Sequence, residues 1–158
     1  MLNIQTFKGT DLPPFLAQGM IRLTNGDSAH FGWLADIAND GTSESMPDDL
    51  VYAVCEIDDD FDIVPIGWAS VYLWDGLPAI EAYVHRDFRR KHLASACVAV
   101  LMNSVTLPGD SVAVFSDEVE AIANWLGGKK VVRYIRRWTD DPSPPHANGR
   151  PWVRRDAE

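Results

Sequence analysis

Cysteine is scarce in this chain, and so is positive charge over its first half. Cys55 and Cys97 are the only cysteines in 158 residues, and they show neither the paired spacing of a zinc site nor a disulfide framework. We therefore expect reduced thiols and a cytoplasmic protein. The first residues also lack a basic end followed by an apolar stretch, so no signal peptide is expected.

The missing positive charge divides the chain in two. Residues 23–85 contain 13 acidic residues and no Lys or Arg, whereas residues 86–155 contain 12 basic and 7 acidic residues. The net charge is −9, but a uniformly acidic surface would not need this division. The division indicates two local electric fields that meet two different ligands.

Long hydrophobic runs are absent as well. The nearest to one is residues 92–109, which contain no Asp, Glu, Lys or Arg but are interrupted by polar residues and by Pro108. A helix that spans a bilayer needs about 20 mostly apolar residues. We therefore predict a buried helix over 90–107 and no membrane partner.

The order of elements predicts an α+β fold. Residues 1–138 contain a strand, a helix, a meander of three strands, the long helix, a strand, a helix and a strand, and they form the predicted domain. Such an order implies a mixed, mostly antiparallel sheet of six to seven strands flanked by helices. Residues 139–158 form a proline-rich tail, in which Trp152 and the residues after it are a candidate last strand.

A basic loop before the long helix is the most informative segment. The predicted strand 79–84 is followed by Arg89-Arg90-Lys91-His92-Leu93-Ala94 and then by small residues. A helix N-terminus binds anions through its unpaired backbone N–H groups, and basic side chains strengthen this attraction. Small residues let a diphosphate approach the backbone closely. The alternative is a solvated basic loop in front of a core helix.

Residues 81–96 resemble the acetyl-CoA-binding segment of the GCN5-related N-acetyltransferase superfamily. In that family a strand is followed by the motif Arg/Gln-x-x-Gly-x-Gly/Ala, which opens the long helix. Arg89 and Ala94 match the motif, and His92 stands where the family usually has a glycine. The resemblance implies a fold of this family's type, and it implies acetyl-CoA (CoA) as the cofactor.

The resemblance also implies which residues bind the cofactor. The strand end pairs its backbone with the pantetheine arm, and the backbone N–H groups of 90–95 hold the diphosphate. The implied cofactor-binding residues are Tyr83, Val84, Arg89, Arg90, Lys91, His92, Leu93, Ala94, Ser95 and Trp125. The alternative for Trp125 is packing in the core. The alternative for the basic loop is simple solvation.

A base and an acid are needed for the implied reaction, in which a neutral amine attacks the acetyl carbonyl. Glu81 is the only acidic side chain in the strand beside the implied thioester, so it is the candidate catalytic base. The family's acid is a Tyr four residues after an Ala, but here Trp125 follows Ala121, and an indole releases no proton at useful pH. Water, Tyr83 or Tyr134 are the alternatives.

Two functions follow from these residues. The first is an acetyl-CoA-dependent N-acetyltransferase whose acceptor is an amine on a small molecule, a polyamine or a protein. The acidic first half favours a cationic acceptor, and a solvated surface is the alternative; the acidic residues of this half that fall on the expected acceptor wall are Asp36, Asp40, Glu44, Asp48 and Asp49. The second is a catalytically degenerate binding module that uses the acidic half to bind a basic protein.

Several remaining features are given ordinary structural roles. The four histidines (His30, His85, His92 and His146) show no metal-ligand spacing, so no metal site is expected and surface or loop positions are predicted. Ser116 is expected to cap the helix that follows it. The basic and aromatic run 133–138 alternates like a strand, and with a net charge of −9 we expect no nucleic-acid partner. A homodimer stays open.

Overall fold

Runs of β-branched and aromatic residues form the central strands of the protein. A computed structural model describes residues 2–24, 30–59, 62–89, 92–136 and 152–155. The strands are β1 (Leu2–Lys8), β2 (Val51–Asp59), β3 (Asp62–Trp74), β4 (Leu77–Val84), β5 (Ser111–Val114), β6 (Lys130–Arg136) and β7 (Trp152–Arg154). The α-helices are α1 (Pro14–Thr24), α2 (Phe31–Asp40), α3 (Leu93–Ser104) and α4 (Asp117–Leu126).

The strands form one sheet whose spatial order follows the chain from β1 to β7. Neighbours from β1 to β4 are antiparallel, as are β6 and β7, whereas β5 runs parallel to both β4 and β6. A two-residue turn, Asp75 and Gly76, joins β3 to β4, and α1 and α2 lie between β1 and β2. The helices α3 and α4 make the two parallel crossovers. The predicted fold class, a mixed and mostly antiparallel sheet flanked by helices, is confirmed.

Helices cover both faces of the sheet. Residues of α1 and α2 pack with Tyr52, Trp68 and Tyr72 on the face that we call the front. Residues of α3 and α4 pack with Ile80 and Val84 on the back. Because side chains alternate between the two faces along a strand, neighbouring residues of β4 belong to different cores.

The pairing between β4 and β5 is short. Only Ala79 with Ala113 and Ile80 with Val114 are paired, while β3 pairs with the whole of β4. The C-terminal half of β4 therefore has a neighbouring strand on one edge only, among the residues that the structure describes. The chain leaves this half of β4 through a turn of 3-10 helix, Arg86–Phe88, and then enters α3.

The long helix is shorter than the sequence predicts. It was expected over 90–107, but α3 begins at Leu93 and ends at Ser104. Val105 is extended, and it is followed by β-branched Thr106 and by Pro108, which disfavour helical backbone before them. Within the described parts of the chain, no helix is long and apolar enough to cross a bilayer.

Two glycines in helices give a matched test of the packing between α1 and the sheet. A Cβ on Gly19 would lie 2.7 Å from Cγ and 2.8 Å from Cδ of Pro65, whereas a Cβ on Gly32 would meet nothing within 4 Å. We expect Gly32→Ala to raise the free energy of unfolding by about 0.5 kcal/mol through helix propensity. We expect Gly19→Ala to lower it by about 1 kcal/mol, since the rigid proline ring cannot give way.

Urea unfolding of both variants measures the difference. Equal stabilisation by the two substitutions would show that α1 does not pack on Pro65 as described.

Candidate functional site

A cavity of about 230 Å³ lies on the back of the sheet at the N-terminus of α3. Its walls come from the end of β4, the following loop, the first turn of α3 and one side of α4. The lining residues include Val84, Arg89, His92, Leu93, Ala94 and Ser95. Six of the residues that the family resemblance assigns to the cofactor are thus together in one cavity.

His92 enters α3 with a left-handed backbone. It is the N-cap residue, with φ of 60° and ψ of 22°, and its side chain makes no capping hydrogen bond. Glycine adopts this conformation freely, whereas other residues adopt it at a cost of about 1–2 kcal/mol. The backbone here has the geometry that favours glycine, at the position where the family motif has one.

Backbone donors at the start of α3 belong to residues that line this cavity. The first helical hydrogen bond of the turn runs from Ala96 N to His92 O, 3.0 Å. The N–H groups of Leu93, Ala94 and Ser95 therefore have no acceptor among the described residues, and the helix dipole adds positive potential. Such a group of donors is suited to a phosphate or another oxyanion.

Charges of both signs line the cavity. Arg89 is exposed and has no ion-pair partner in the described part of the chain. Glu118 reaches the same cavity from the first turn of α4. The positive potential of the α3 N-terminus and Arg89 is thus partly offset by one carboxylate.

The open edge of β4 runs from this cavity along the sheet. His85 N donates to Ile66 O at 2.7 Å, so the backbone groups of residue 85 point towards β3. Alternate residues of an antiparallel strand direct their N–H and C=O groups to the same edge. Val84 and Ala82 therefore direct theirs to the opposite edge, where β5 has already separated from β4.

On the front of the sheet, Glu81 lies in a buried polar cluster. Its carboxylate Oε2 is 2.8 Å from Nε2 of His30 and 3.4 Å from the hydroxyl of Tyr72. The imidazole Nδ1 is 2.7 Å from the hydroxyl of Tyr52, and its Nε2 is 3.0 Å from Oγ of Ser70. Glu81 is 8% exposed and His30 is fully buried, so each group depends on the others for hydrogen bonds.

The two tyrosines of this cluster are held in their protonated form. Burial, and secondly the charge of Glu81, raise the pKa of Tyr52 well above its usual value of 10.0. The same two causes, in the same order, raise the pKa of Tyr72 strongly. Both hydroxyls therefore remain hydrogen-bond donors through the neutral and alkaline range.

The position of His30 contradicts the sequence prediction. The predicted surface position is wrong, because the imidazole is fully buried in the front core, against the rings of Trp33 and Trp68. The backbone of His30 does lie outside the helices and strands, as the N-cap residue of α2. The backbone carbonyl of His30 accepts the hydrogen bond from Leu34 N that begins α2. No local pattern reveals this contact, because Glu81 is 51 residues further along the chain.

Other predicted residues are placed apart from the cavity. The ring of Tyr83 packs on Trp68, with centroids 4.9 Å apart, on the front of the sheet. Trp125 is 74% exposed on α4, so its packing in the core, favoured from the sequence, is wrong, and it does not line the cavity. Arg90 and Lys91 lie outside the described residues.

Two further expectations concern the ends of α2 and α4. Ser116 is the N-cap of α4, and its Oγ accepts a hydrogen bond from Val119 N at 3.2 Å, which confirms the prediction. The acidic residues of α2 and the following loop are all exposed, so they add negative potential on the front side. This set consists of Asp36, Asp40, Glu44, Asp48 and Asp49.

The left-handed backbone at residue 92 predicts an unusual effect of glycine. We expect His92→Gly to raise the free energy of unfolding by about 0.5–1 kcal/mol, because glycine removes the steric cost at positive φ. His85 is the matched control, since its φ is −54° and its side chain accepts a hydrogen bond from Asp87 N. His85→Gly should lower stability by about 1 kcal/mol in the same thermal or urea assay. A loss from both substitutions would contradict the left-handed geometry.

The raised pKa of Tyr52 predicts a loss of stability at alkaline pH. Below pH 10 both the folded and the unfolded protein keep the proton, and above it only the unfolded protein releases it. The free energy of unfolding should therefore fall above pH 10, and Tyr52 contributes about 1.4 kcal/mol per pH unit to that slope. Urea unfolding from pH 8 to 11 should give a shallower slope for Tyr52→Phe, and identical slopes would count against the burial of this hydroxyl.

No family model matches the chain, and no curated protein matches it. Among solved structures, it is similar to a GCN5-related N-acetyltransferase from Sphaerobacter thermophilus, with 17% identity and a TM-score of 0.41. That likeness covers 90% of this chain and 40% of the other, so the chain spans less than half the length of that protein. It is also similar to the PaiA N-acetyltransferase from Thermoplasma acidophilum in complex with coenzyme A, with 11% identity, a TM-score of 0.39, and coverage of 87% of this chain and 82% of the other.

Proposed function

We propose that this protein is an acetyl-CoA-dependent N-acetyltransferase with a cationic amine as acceptor. One observation carries the proposal. The open edge of β4 has an oxyanion-binding cavity at its end on the back of the sheet, and a buried carboxylate from the same strand on the front. A cofactor that binds along this edge has a candidate base on the acceptor side of the sheet.

The residues of the cavity fit the cofactor's diphosphate. Unpaired N–H groups of Leu93, Ala94 and Ser95 supply donors, and Arg89 supplies charge. The backbone groups of Ala82 and Val84 are available to the amides of the pantetheine arm, since no described strand pairs with them on that edge. The left-handed backbone of His92 provides the turn that the family motif obtains with glycine.

Acetyl-CoA, when bound, supplies an activated acetyl thioester for attack by an amine. Glu81 then accepts the proton of the acceptor's ammonium group, directly or through one water molecule. Its Oε2 already receives both hydrogen bonds that the carboxylate makes within the described residues, so Oε1 is the oxygen that takes the proton. The N–H of Val84, on the open edge, is available to an oxygen that gains negative charge.

The positive charge of the proposed acceptor is inferred from the acidic residues on the front side of the sheet. The exposed acidic residues of α2 and of the loop after it attract cations to the side of the sheet on which Glu81 lies. Trp125 does not line the cavity and an indole releases no proton at useful pH, so water, Tyr83 or Tyr134 would supply the proton for the leaving thiolate.

Calorimetry with acetyl-CoA tests the cofactor part of the proposal. Arg89→Ala should weaken acetyl-CoA binding about tenfold, because it removes a charge-assisted contact to phosphate. Arg86→Ala is the matched control, since Arg86 is equally exposed in the preceding turn but does not line the cavity. Glu118→Gln should tighten binding by removing the opposing carboxylate. No binding at about 1 mM acetyl-CoA would overturn the proposal.

Release of CoA thiol on a panel of mono-, di- and polyamines and Lys-containing peptides tests the chemistry. Glu81→Gln should keep its acetyl-CoA affinity and lose about 100-fold in turnover. Full turnover in Glu81→Gln would remove Glu81 from the reaction. Cofactor binding without thiol release on the whole panel would instead favour the degenerate binding module, with its acidic half as the surface for a basic protein.

A further inference from the structure

The imidazole of His30 has a complete set of partners in the core. Its two nitrogens face different kinds of group, a phenol at Nδ1 and a carboxylate at Nε2. A carboxylate only accepts hydrogen bonds, whereas the hydroxyl of Tyr52 is held protonated and is therefore able to donate one. The arrangement that satisfies all three groups has Tyr52 O–H donating to Nδ1, and Nε2–H donating to Oε2 of Glu81.

This order of donors fixes one tautomer of a neutral imidazole. Ser70 Oγ, 3.0 Å from Nε2, is placed beside the same N–H, and Tyr72 gives Oε2 a second, longer contact. The carboxylate is therefore held at one oxygen by His30, the N-cap residue of α2, and by Tyr72 of β3. The side chain of Glu81 retains 10% exposure.

We propose that His30 is a positioning residue, which holds Oε2 of Glu81 through a hydrogen bond from Nε2–H so that Oε1 receives the proton of the acceptor amine. The catalytic role of His30 rests on the proposed function, but the hydrogen bond from His30 to the carboxylate of Glu81 does not. The proton moves from the ammonium nitrogen to Oε1, which leaves a neutral amine and a neutral carboxyl group. His30 remains neutral, and the proton then leaves Glu81 for water.

The groups that face the pair come from several elements. Tyr52 approaches from β2, Ser70 and Tyr72 from β3, and Trp33 from α2. Trp68 of β3 contributes only a ring face against the imidazole. Apart from the pair itself, the titratable groups of this set are the two tyrosines, which remain neutral below pH 10.

The test is a pH titration of the unliganded protein, with the Glu81 carboxyl followed by carbon-13 NMR. His30→Leu removes the N–H donor and keeps an apolar side chain of similar size, whereas His30→Gln offers an amide N–H in its place. The midpoint of the Glu81 signal should move up by about one to two pH units in His30→Leu, because a hydrogen bond to a charged group is lost. His30→Gln should recover most of that shift.

Kinetics of the same variants should separate an effect on kcat from an effect on acetyl-CoA affinity. At neutral pH, kcat of His30→Leu should fall about tenfold or more while acetyl-CoA affinity is unchanged, and the rising limb of the pH–rate profile should move by the NMR shift. Equal NMR midpoints in the wild type and both variants would overturn the inference. If His30→Leu does not fold, Tyr52→Phe serves instead, since it frees Nδ1 to carry the proton and should also raise the midpoint.

The two proposals fail separately. An upward shift of the Glu81 midpoint in His30→Leu, without acetyl transfer to any amine, would support the hydrogen bond from His30 to Glu81 and contradict the proposed acetyltransferase activity. Acetyl transfer together with an unshifted Glu81 midpoint in His30→Leu would support the acetyltransferase activity and contradict the positioning role of His30.

Discussion

The early separation of β4 from β5 is the constraint on which the candidate site depends. Two residue pairs hold these strands together, and beyond them the backbone groups of Ala82 and Val84 have one open edge. Backbone N–H and C=O groups need partners when they are removed from water, so an open edge inside a sheet is suited to an extended ligand with amides of its own. The same separation lets the chain turn through the basic loop and begin α3 beside that edge, which brings the oxyanion donors and the open backbone together.

The buried pair of His30 and Glu81 depends on a second constraint, the cost of removing a charge from water. A carboxyl group that is 8% exposed has lost most of its contact with water, so it needs hydrogen bonds from the protein, and here they come from His30 and Tyr72. Tyr52 in turn sets the imidazole tautomer. The front core thus consists of aromatic rings around one chain of polar contacts, in which His30 and Oε2 of Glu81 are hydrogen-bonded. Such a hydrogen-bonded network holds its side chains in one geometry.

His92 shows how the backbone at the start of α3 is maintained with an unfavourable residue. The left-handed conformation costs about 1–2 kcal/mol for a side chain with a Cβ, yet it lets the first N–H groups of α3 face the cavity. Packing of α3 against the sheet through Cys97, Val98 and Leu101 is what holds the helix start in place. A cost at one residue is therefore offset by burial along the helix that follows.

Local patterns in the sequence determined much of this protein. Alternating apolar residues determined the meander and the mixed sheet, glycine and proline determined most of the breaks between elements, and the basic run before α3 determined where oxyanion donors and Arg89 meet. Tertiary structure alone decided the rest. The shorter helix α3, the exposure of Trp125 and above all the burial of His30 against Glu81 depend on segments that are distant in sequence. Periodicity reports which face of an element is apolar, but it does not report which polar residue of another element is brought to that face, because that is decided by how the elements pack.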